Sequence, residues 1–235
     1  IFHSNKFRIN LKEATILDLF SGIGSFGLEC LSRGVKKVIF VENYAGVLPI
    51  LRKNLSNQLR KLQHVSNLYN IEEQTKLSEW LTKNSCAEAV FFCNSGAEAN
   101  EAAIKLIRKY GSLVKKDQES IILSAESSFH GRTFAALSAT GQPKYQEGFK
   151  PLLSGFKFFK YNDFDSVKKI FNECEKRNQN IAGILIEPIQ GEGGVIPGNK
   201  KFFQQLREVC DQKKTLLIFD EVQSGVGRTG KLWGY

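Results

Sequence analysis

Asp220 follows the apolar run Leu216-Leu217-Ile218-Phe219 without a spacer. Such a run, bounded by charge and lacking helical spacing, reads as a strand buried on both faces, and in sheets of that kind small molecules sit beyond the carboxyl ends of the strands. A carboxylate at that point is placed to meet a ligand, although a lone aspartate at a strand end more often caps a turn. Asp220 has company. Asn94 to Glu101 reads N-S-G-A-E-A-N-E, Ser127 to Thr133 reads S-S-F-H-G-R-T, Ile186 to Gly194 reads I-E-P-I-Q-G-E-G-G, and Gly225 to Gly230 reads G-V-G-R-T-G, each at a strand end or turn.

Each stretch offers a different kind of contact. At Asn94-Ser95-Gly96-Ala97 a strand is expected to run into a helix, whose first N–H groups and positive dipole end suit a phosphate; Gly96 lacks a Cβ and Ser95 adds a hydroxyl. The plainer reading makes Ser95 an N-cap, with Glu98 and Glu101 complementing the helix dipole. Phe129 can stack on a planar ring and Arg132 can fork onto a carboxylate, while core packing and a solvated charge are their ordinary roles. His130, with no nucleophile motif nearby, reads as a structural turn histidine. Taken together, a phosphate cup, an aromatic face, a carboxylate for a ring nitrogen and an arginine for an acidic substrate describe the handles of pyridoxal 5′-phosphate, PLP.

Alternating strands and helices must hold these residues. Strands are expected at Ala89–Cys93, Ser120–Ser124, Phe156–Phe159, Ile181–Ile186 and Thr215–Asp220, and helices at Ala97–Lys109, Phe164–Arg177 and Lys200–Cys210. That rhythm predicts an α/β fold with a mostly parallel sheet and helices on both faces. Ahead of it, Leu55–Leu62 reads as a helix, and Ile71–Leu81 as an amphipathic helix with Ile71, Gln74, Leu77 and Leu81 along one side. The 235 residues, 42% hydrophobic, suffice for one large core or two small ones. No apolar run approaches the ~20 residues that span a bilayer, so a soluble, cytoplasmic protein is expected. Cys30, Cys86, Cys93, Cys174 and Cys210 form no C-x-x-C pair, which argues for free thiols and against a zinc site or a disulfide framework. The chain begins at Ile1, has no methionine and ends at Tyr235, and reads as a stretch cut at both ends.

From about residue 56 to Tyr235 the four motifs, in this order, resemble the large domain of class III PLP-dependent aminotransferases, an aspartate-aminotransferase-like fold, and most specifically their acetylornithine members. The resemblance implies a homodimer that moves an ω-amino group between an amino acid and a 2-oxo acid in arginine biosynthesis. It implies that Ser95, Gly96 and Ala97 hold the PLP phosphate, Phe129 stacks on the ring, Asp220 pairs with the pyridinium nitrogen, Val222 covers the other ring face and Gln223 bonds the ring 3′-oxygen. Arg132 would receive the substrate carboxylate, and Glu187 matches an acid that helps to select between substrates. The lysine that binds PLP covalently in the family lies past the point where this chain stops, and Lys231 is not its counterpart, so no catalytic residue is assigned and the chain alone is expected to be inactive. Ornithine and γ-aminobutyrate enzymes share much of the pattern, and a non-catalytic PLP-binding or interface module is the rival of a different class.

The front of the chain differs. Residues 1–60 carry a net charge of +5 and the other 175 only +4. A strand at Ala14–Phe20 leads into Gly22, Gly24 and Gly27 in G-x-G-x-x-G spacing, and a second strand, Val38–Val41, ends in Glu42. Such glycines let a nucleoside cofactor approach the backbone, and an acid after the second strand can accept from ribose hydroxyls; a tight turn that binds nothing is the plain alternative. The stretch L-D-L-F-S-G-I-G-S-F-G, with V-I-F-V-E-N after it, resembles ribosomal-RNA guanine-N2 methyltransferases, which implies a partial Rossmann-like segment over residues 1–55 with a vestigial S-adenosylmethionine site at Gly22, Gly24 and Glu42. The Pro-Pro segment with which that family holds its target amine is missing, so methylation of RNA is not expected.

Overall fold

β-Branched and aromatic residues favour pleated backbone, and most runs rich in them are strands of this protein. The computed structural model describes residues 15–19, 37–41, 46, 48–60, 69–114, 116 and 118–235, and the chain divides into two compact units, residues 1–81 and 82–235. In the first unit β1 (Thr15–Leu19) and β2 (Lys37–Val41) pair in parallel, with Thr15 opposite Lys37 and Leu19 opposite Val41. Helix α1 spans Leu48–Leu59 and helix α2 spans Glu72–Lys83. No residue of α2 is buried and Leu77 is exposed, so the apolar side expected there is not packed over. Gly22, Gly24 and Glu42 lie outside the described residues.

The second unit is built on α3 (Gly96–Val114), β3 (Glu119–Ala125), β4 (Phe156–Phe159), α6 (Phe164–Lys176), β5 (Gln179–Ile186), α7 (Lys200–Lys213) and β8 (Leu216–Phe219). Two short helices, α4 (Phe134–Ala139) and α5 (Pro143–Gln146), follow β3, and a small antiparallel pair, β6 (Ile189–Gln190) with β7 (Ile196–Pro197), follows β5. The sheet is wholly parallel in the order β4-β3-β5-β8. Helices start where acceptors are supplied: the Asp163 side chain accepts from the Ser166 N–H at the head of α6, and Asn199 accepts from the Phe202 N–H at the head of α7.

Strand alternation sends side chains to two cores. On one face Ile121, Leu123, Ile184 and Ile186 pack with Phe171 of α6 and with Phe202 and Leu206 of α7. On the other, Ile122, Ala182 and Leu185 pack with Ile104 and Ile107 of α3. Fully burying each such side chain stabilises the fold by roughly 1.5–3 kcal/mol, so helices on both faces are what the strands require. Alternation breaks once. The β3–β5 register slips between Ile121 and Ile122, which oppose Ile181 and Gly183, so Ala182 is an extra residue. Gly183 then faces α3, where a Cβ would come within 2.6 Å of the Ile107 side chain.

The strand expected at Ala89–Cys93 is absent: this run is irregular, and Phe91 is 71% exposed. Extended backbone becomes a strand only where a neighbour takes up its N–H and C=O groups, and no such neighbour occurs among the described residues. No described helix is long and apolar enough to cross a membrane.

Candidate functional site

β3, β5 and β8 run in parallel and end at one edge of the sheet, and each delivers a polar residue to the side on which α3 lies. Side chains two apart share a face: Ile122 is followed by Ser124, Leu185 by Glu187, and Ile218 by Asp220. The turn after β3 adds residues 129–132, and α3 begins at the same edge. A cavity of about 310 Å³ results, lined by Gly96, Ala97, Asn100, Phe129, His130, Gly131, Arg132, Glu187, Asp220, Val222 and Gln223.

Asp220 is held by three donors. Its Oδ2 accepts from Asn100 Nδ2 at 2.7 Å and from His130 Nδ1 at 2.7 Å, and its Oδ1 accepts from the Val222 N–H at 3.1 Å. Burial by itself would lift its carboxyl pKa; the hydrogen bond and charge of His130, with the Asn100 and Val222 bonds, overcome this and leave it below the usual carboxylate value. Asp220 is therefore an ionised group on the cavity wall. Beside an ionised Asp220, His130 carries a proton on Nδ1, and its Nε2 lies 3.1 Å from the Ser124 Oγ. The Ser124 Oγ lies in turn 3.0 Å from the Ser128 Oγ. His130 is 2% exposed. It is more than a turn residue: it belongs to the clamp on Asp220, as does Asn100, which the sequence reading passed over inside N-S-G-A-E-A-N-E. Spacing could have pointed to Asn100, because it lies one helical turn after Gly96 and so faces the same way.

Glu187 shows the opposite balance. Its Oε2 accepts from the Phe129 N–H at 3.1 Å and its Oε1 from the Gly191 N–H at 3.4 Å. Burial raises its pKa, a rise that His130 and these two donors only partly offset and that the charge of Asp220 enlarges. The pKa values of two carboxyl groups of one cavity are thus moved in opposite directions.

The start of α3 is a capping arrangement: the Ser95 hydroxyl accepts from the Glu98 N–H at 3.2 Å, while Glu98 Oε2 reaches back to the Asn94 N–H at 2.7 Å. The Ser95 side chain is thus an N-cap, and Ser95 itself does not line the cavity, whereas Gly96 and Ala97 do. Glu101 caps a different helix from its own, accepting from the N–H groups of Ala135 (3.0 Å) and Ala136 (3.3 Å) in α4. Gly96 is needed for Val222, since a Cβ there would stand 2.6 Å from Val222 Cγ2. Gly96, Ala97, Phe129, Arg132, Glu187, Asp220, Val222 and Gln223 are thus brought together, with Ser95 one residue outside. Among the described residues no group of His, Cys, Asp or Glu side chains could hold a metal ion.

The family model for aminotransferase class-III matches residues 42–235, a span that takes in Glu42 and the residues up to 55. Acetylornithine aminotransferase of Prochlorococcus marinus subsp. pastoris is 73% identical over 186 residues, 79% of this chain and 45% of that protein. Among solved structures, N-acetylornithine aminotransferase from Stenotrophomonas maltophilia K279a is 37% identical with a TM-score of 0.63, over 79% of this chain and 44% of that one. Ornithine aminotransferase from Toxoplasma gondii, with PLP at partial occupancy in its active site, is 30% identical with a TM-score of 0.69, over 78% of this chain and 42% of that one. The chain spans less than half the length of the curated relatives it matches.

Proposed function

Because this chain belongs to the class-III aminotransferase family, we propose that its cavity binds PLP and serves the transfer of an ω-amino group from an acetylornithine-type donor to 2-oxoglutarate, a step of arginine biosynthesis. The observation that carries this is the clamped Asp220, an ionised carboxylate facing a cavity whose far wall is a helix N-terminus.

The donor set fits the cofactor. The first-turn N–H groups at Gly96 and Ala97, with the positive end of α3 behind them, complement a phosphate. Ser95 keeps that turn formed through its cap. Phe129 and Val222 offer apolar surface to the faces of a flat ring, and Gln223 supplies an amide for the ring 3′-oxygen. Asp220 Oδ1, which accepts only the Val222 N–H among the described bonds, has capacity left for a protonated ring nitrogen. When bound, PLP supplies an electron sink for a carbanion at the substrate Cα. Asp220 holds the proton on the ring nitrogen, and Asn100 and His130 keep Asp220 ionised and aimed. Arg132 forks onto the substrate carboxylate. Glu187, uncharged more readily than an exposed acid, is the side chain against which substrates of different charge are sorted.

Assembly as a homodimer belongs to the same reading, supported by Phe134 and Val226, large apolar side chains exposed a few residues along the chain from Arg132 and Gln223. For the front segment the methyltransferase-like reading over residues 1–55, with at most a vestigial S-adenosylmethionine site at Gly22, Gly24 and Glu42, draws its support from the parallel pairing of β1 and β2.

The test is Asp220→Asn in a chain carried to the full length of its relatives. Phosphate-anchored PLP binding should survive, while glutamate formation from acetylornithine and 2-oxoglutarate falls by orders of magnitude, because an amide cannot hold the ring nitrogen protonated. Normal turnover by that variant would remove Asp220 from the reaction, and no turnover by the unaltered chain would remove the proposed donor.

A further inference from the structure

Arg132 reaches the cavity without an acid to hold it. Among the described residues it forms no ion pair. Its guanidinium lies over the ring of Tyr145 instead, with Cζ 4.9 Å from the ring centroid. The distinction matters chemically. A carboxylate partner would occupy the in-plane N–H donors, whereas an aromatic face attracts the cation through the flat side of the guanidinium and leaves those donors for a ligand.

Tyr145 does more than support Arg132. Its ring meets Phe129 edge to face, with centroids 5.5 Å apart and planes at 73°. Its hydroxyl donates to Glu192 Oε2 at 3.2 Å, tying the ring to the loop between β6 and β7, and Lys144 Nζ lies 4.7 Å from the same centroid. Tyr145 belongs to α5 and does not line the cavity, yet it touches two residues that do.

We infer that Tyr145 is a positioning residue for carboxylate recognition: its ring aims Arg132 into the cavity with the guanidinium donors unspent, and Glu192 anchors that ring. The inference rests on the reading that Arg132 receives the substrate carboxylate, and it adds a determinant of affinity that never touches the ligand. Substitution at position 145 should therefore weaken carboxylate binding through Arg132.

The experiment uses the full chain loaded with PLP, with glutarate as the carboxylate probe and phenylglyoxal as the arginine reagent, and modification at Arg132 is read by peptide mass spectrometry. Position 145 is occupied in turn by Tyr, Phe, and mono-, di- and trifluorinated Phe, which draw electron density from the ring face at nearly constant shape. The glutarate concentration giving half-protection of Arg132 should rise stepwise with fluorination, to about two- to fivefold above the Tyr145→Phe value in the trifluorinated protein. A flat series overturns the role of Tyr145, since a merely structural aromatic would be indifferent to fluorine. Failure of glutarate to protect Arg132 in the unaltered protein overturns the carboxylate reading itself, so the two failures are separable.

Discussion

Replacing Asn100 by alanine tests the clamp on Asp220 directly. Asn100 is 5% exposed, and its Nδ2 donates both to Asp220 Oδ2 and to the His130 carbonyl, each at 2.7 Å. A bond to a buried ion contributes about 1.5–3 kcal/mol and one to a neutral carbonyl about 0.5–1.5, so Asn100→Ala should cost about 2–4 kcal/mol at pH 7. Urea denaturation followed by tryptophan fluorescence should show the midpoint falling by about 1–2 M with an unchanged slope. The cost must also depend on pH with a definite sign. Asp220 lies below its ordinary pKa in the fold, so its contribution is complete above the unfolded value of about 3.9 and is lost as pH falls through the folded value. The penalty of Asn100→Ala should therefore be full at neutral pH and shrink below about pH 4, toward that of the neutral bond alone. An equal penalty at pH 7 and at the lowest pH where the wild type stays folded, or a loss under about 1 kcal/mol at pH 7, would refute the clamp.

Two further outcomes follow from packing and burial. Gly183→Ala should destabilise by about 1–3 kcal/mol through contact with Ile107, and Ile107→Ala by about 2–5 through a cavity. The double variant should be at least ~1 kcal/mol better than their sum in the same denaturation assay, whereas additivity would mean that the two sites do not touch. For the cysteines, burial pushes the Cys210 thiol up to about 12 and raises that of Cys174, while Cys86 and Cys93 are exposed. Iodoacetamide should mark Cys86 and Cys93 in the native protein and reach Cys174 and Cys210 only after denaturation, with native labelling at Cys210 by mass spectrometry as the contrary result.

Much of the site was legible because its parts are short motifs at strand ends. The runs Phe156–Phe159 and Leu216–Phe219 announce themselves by composition, and an acid directly after Phe219 must emerge at the carboxyl edge. What stayed hidden depends on partners far along the chain. Beyond its spacing from Gly96, nothing local distinguishes Asn100 from a surface asparagine, because the atoms that occupy its side chain are 30 and 120 residues away. His130 was underrated for the same reason, its two ring partners coming from β3 and from the end of β8. Ala89–Cys93 errs in the other direction: it has the composition of a strand but no pairing neighbour among the described residues. Helix α4 escaped because its N-terminal donors are met by Glu101 of α3 and not by its own Thr133.

The extra residue in β5 acts as a phase shifter. Counting strictly by twos from Ile181, residue 187 would fall on the α6 and α7 side of the sheet; the doubled step at Ala182 and Gly183 inverts the parity and turns Glu187 toward the cavity. The orientation of an acid at the strand's end is thus decided five residues earlier, at a point buried under α3. Straightening the strand at its full length would remove no cavity atom, yet it would exchange the inward and outward sets beyond Ala182 and swap Glu187 for a neighbour of opposite parity, whereas deleting Ala182 would remove the bulge and leave Glu187 facing the cavity. The chemistry available at this edge is accordingly set by register within the strand as much as by the residues that line the cavity.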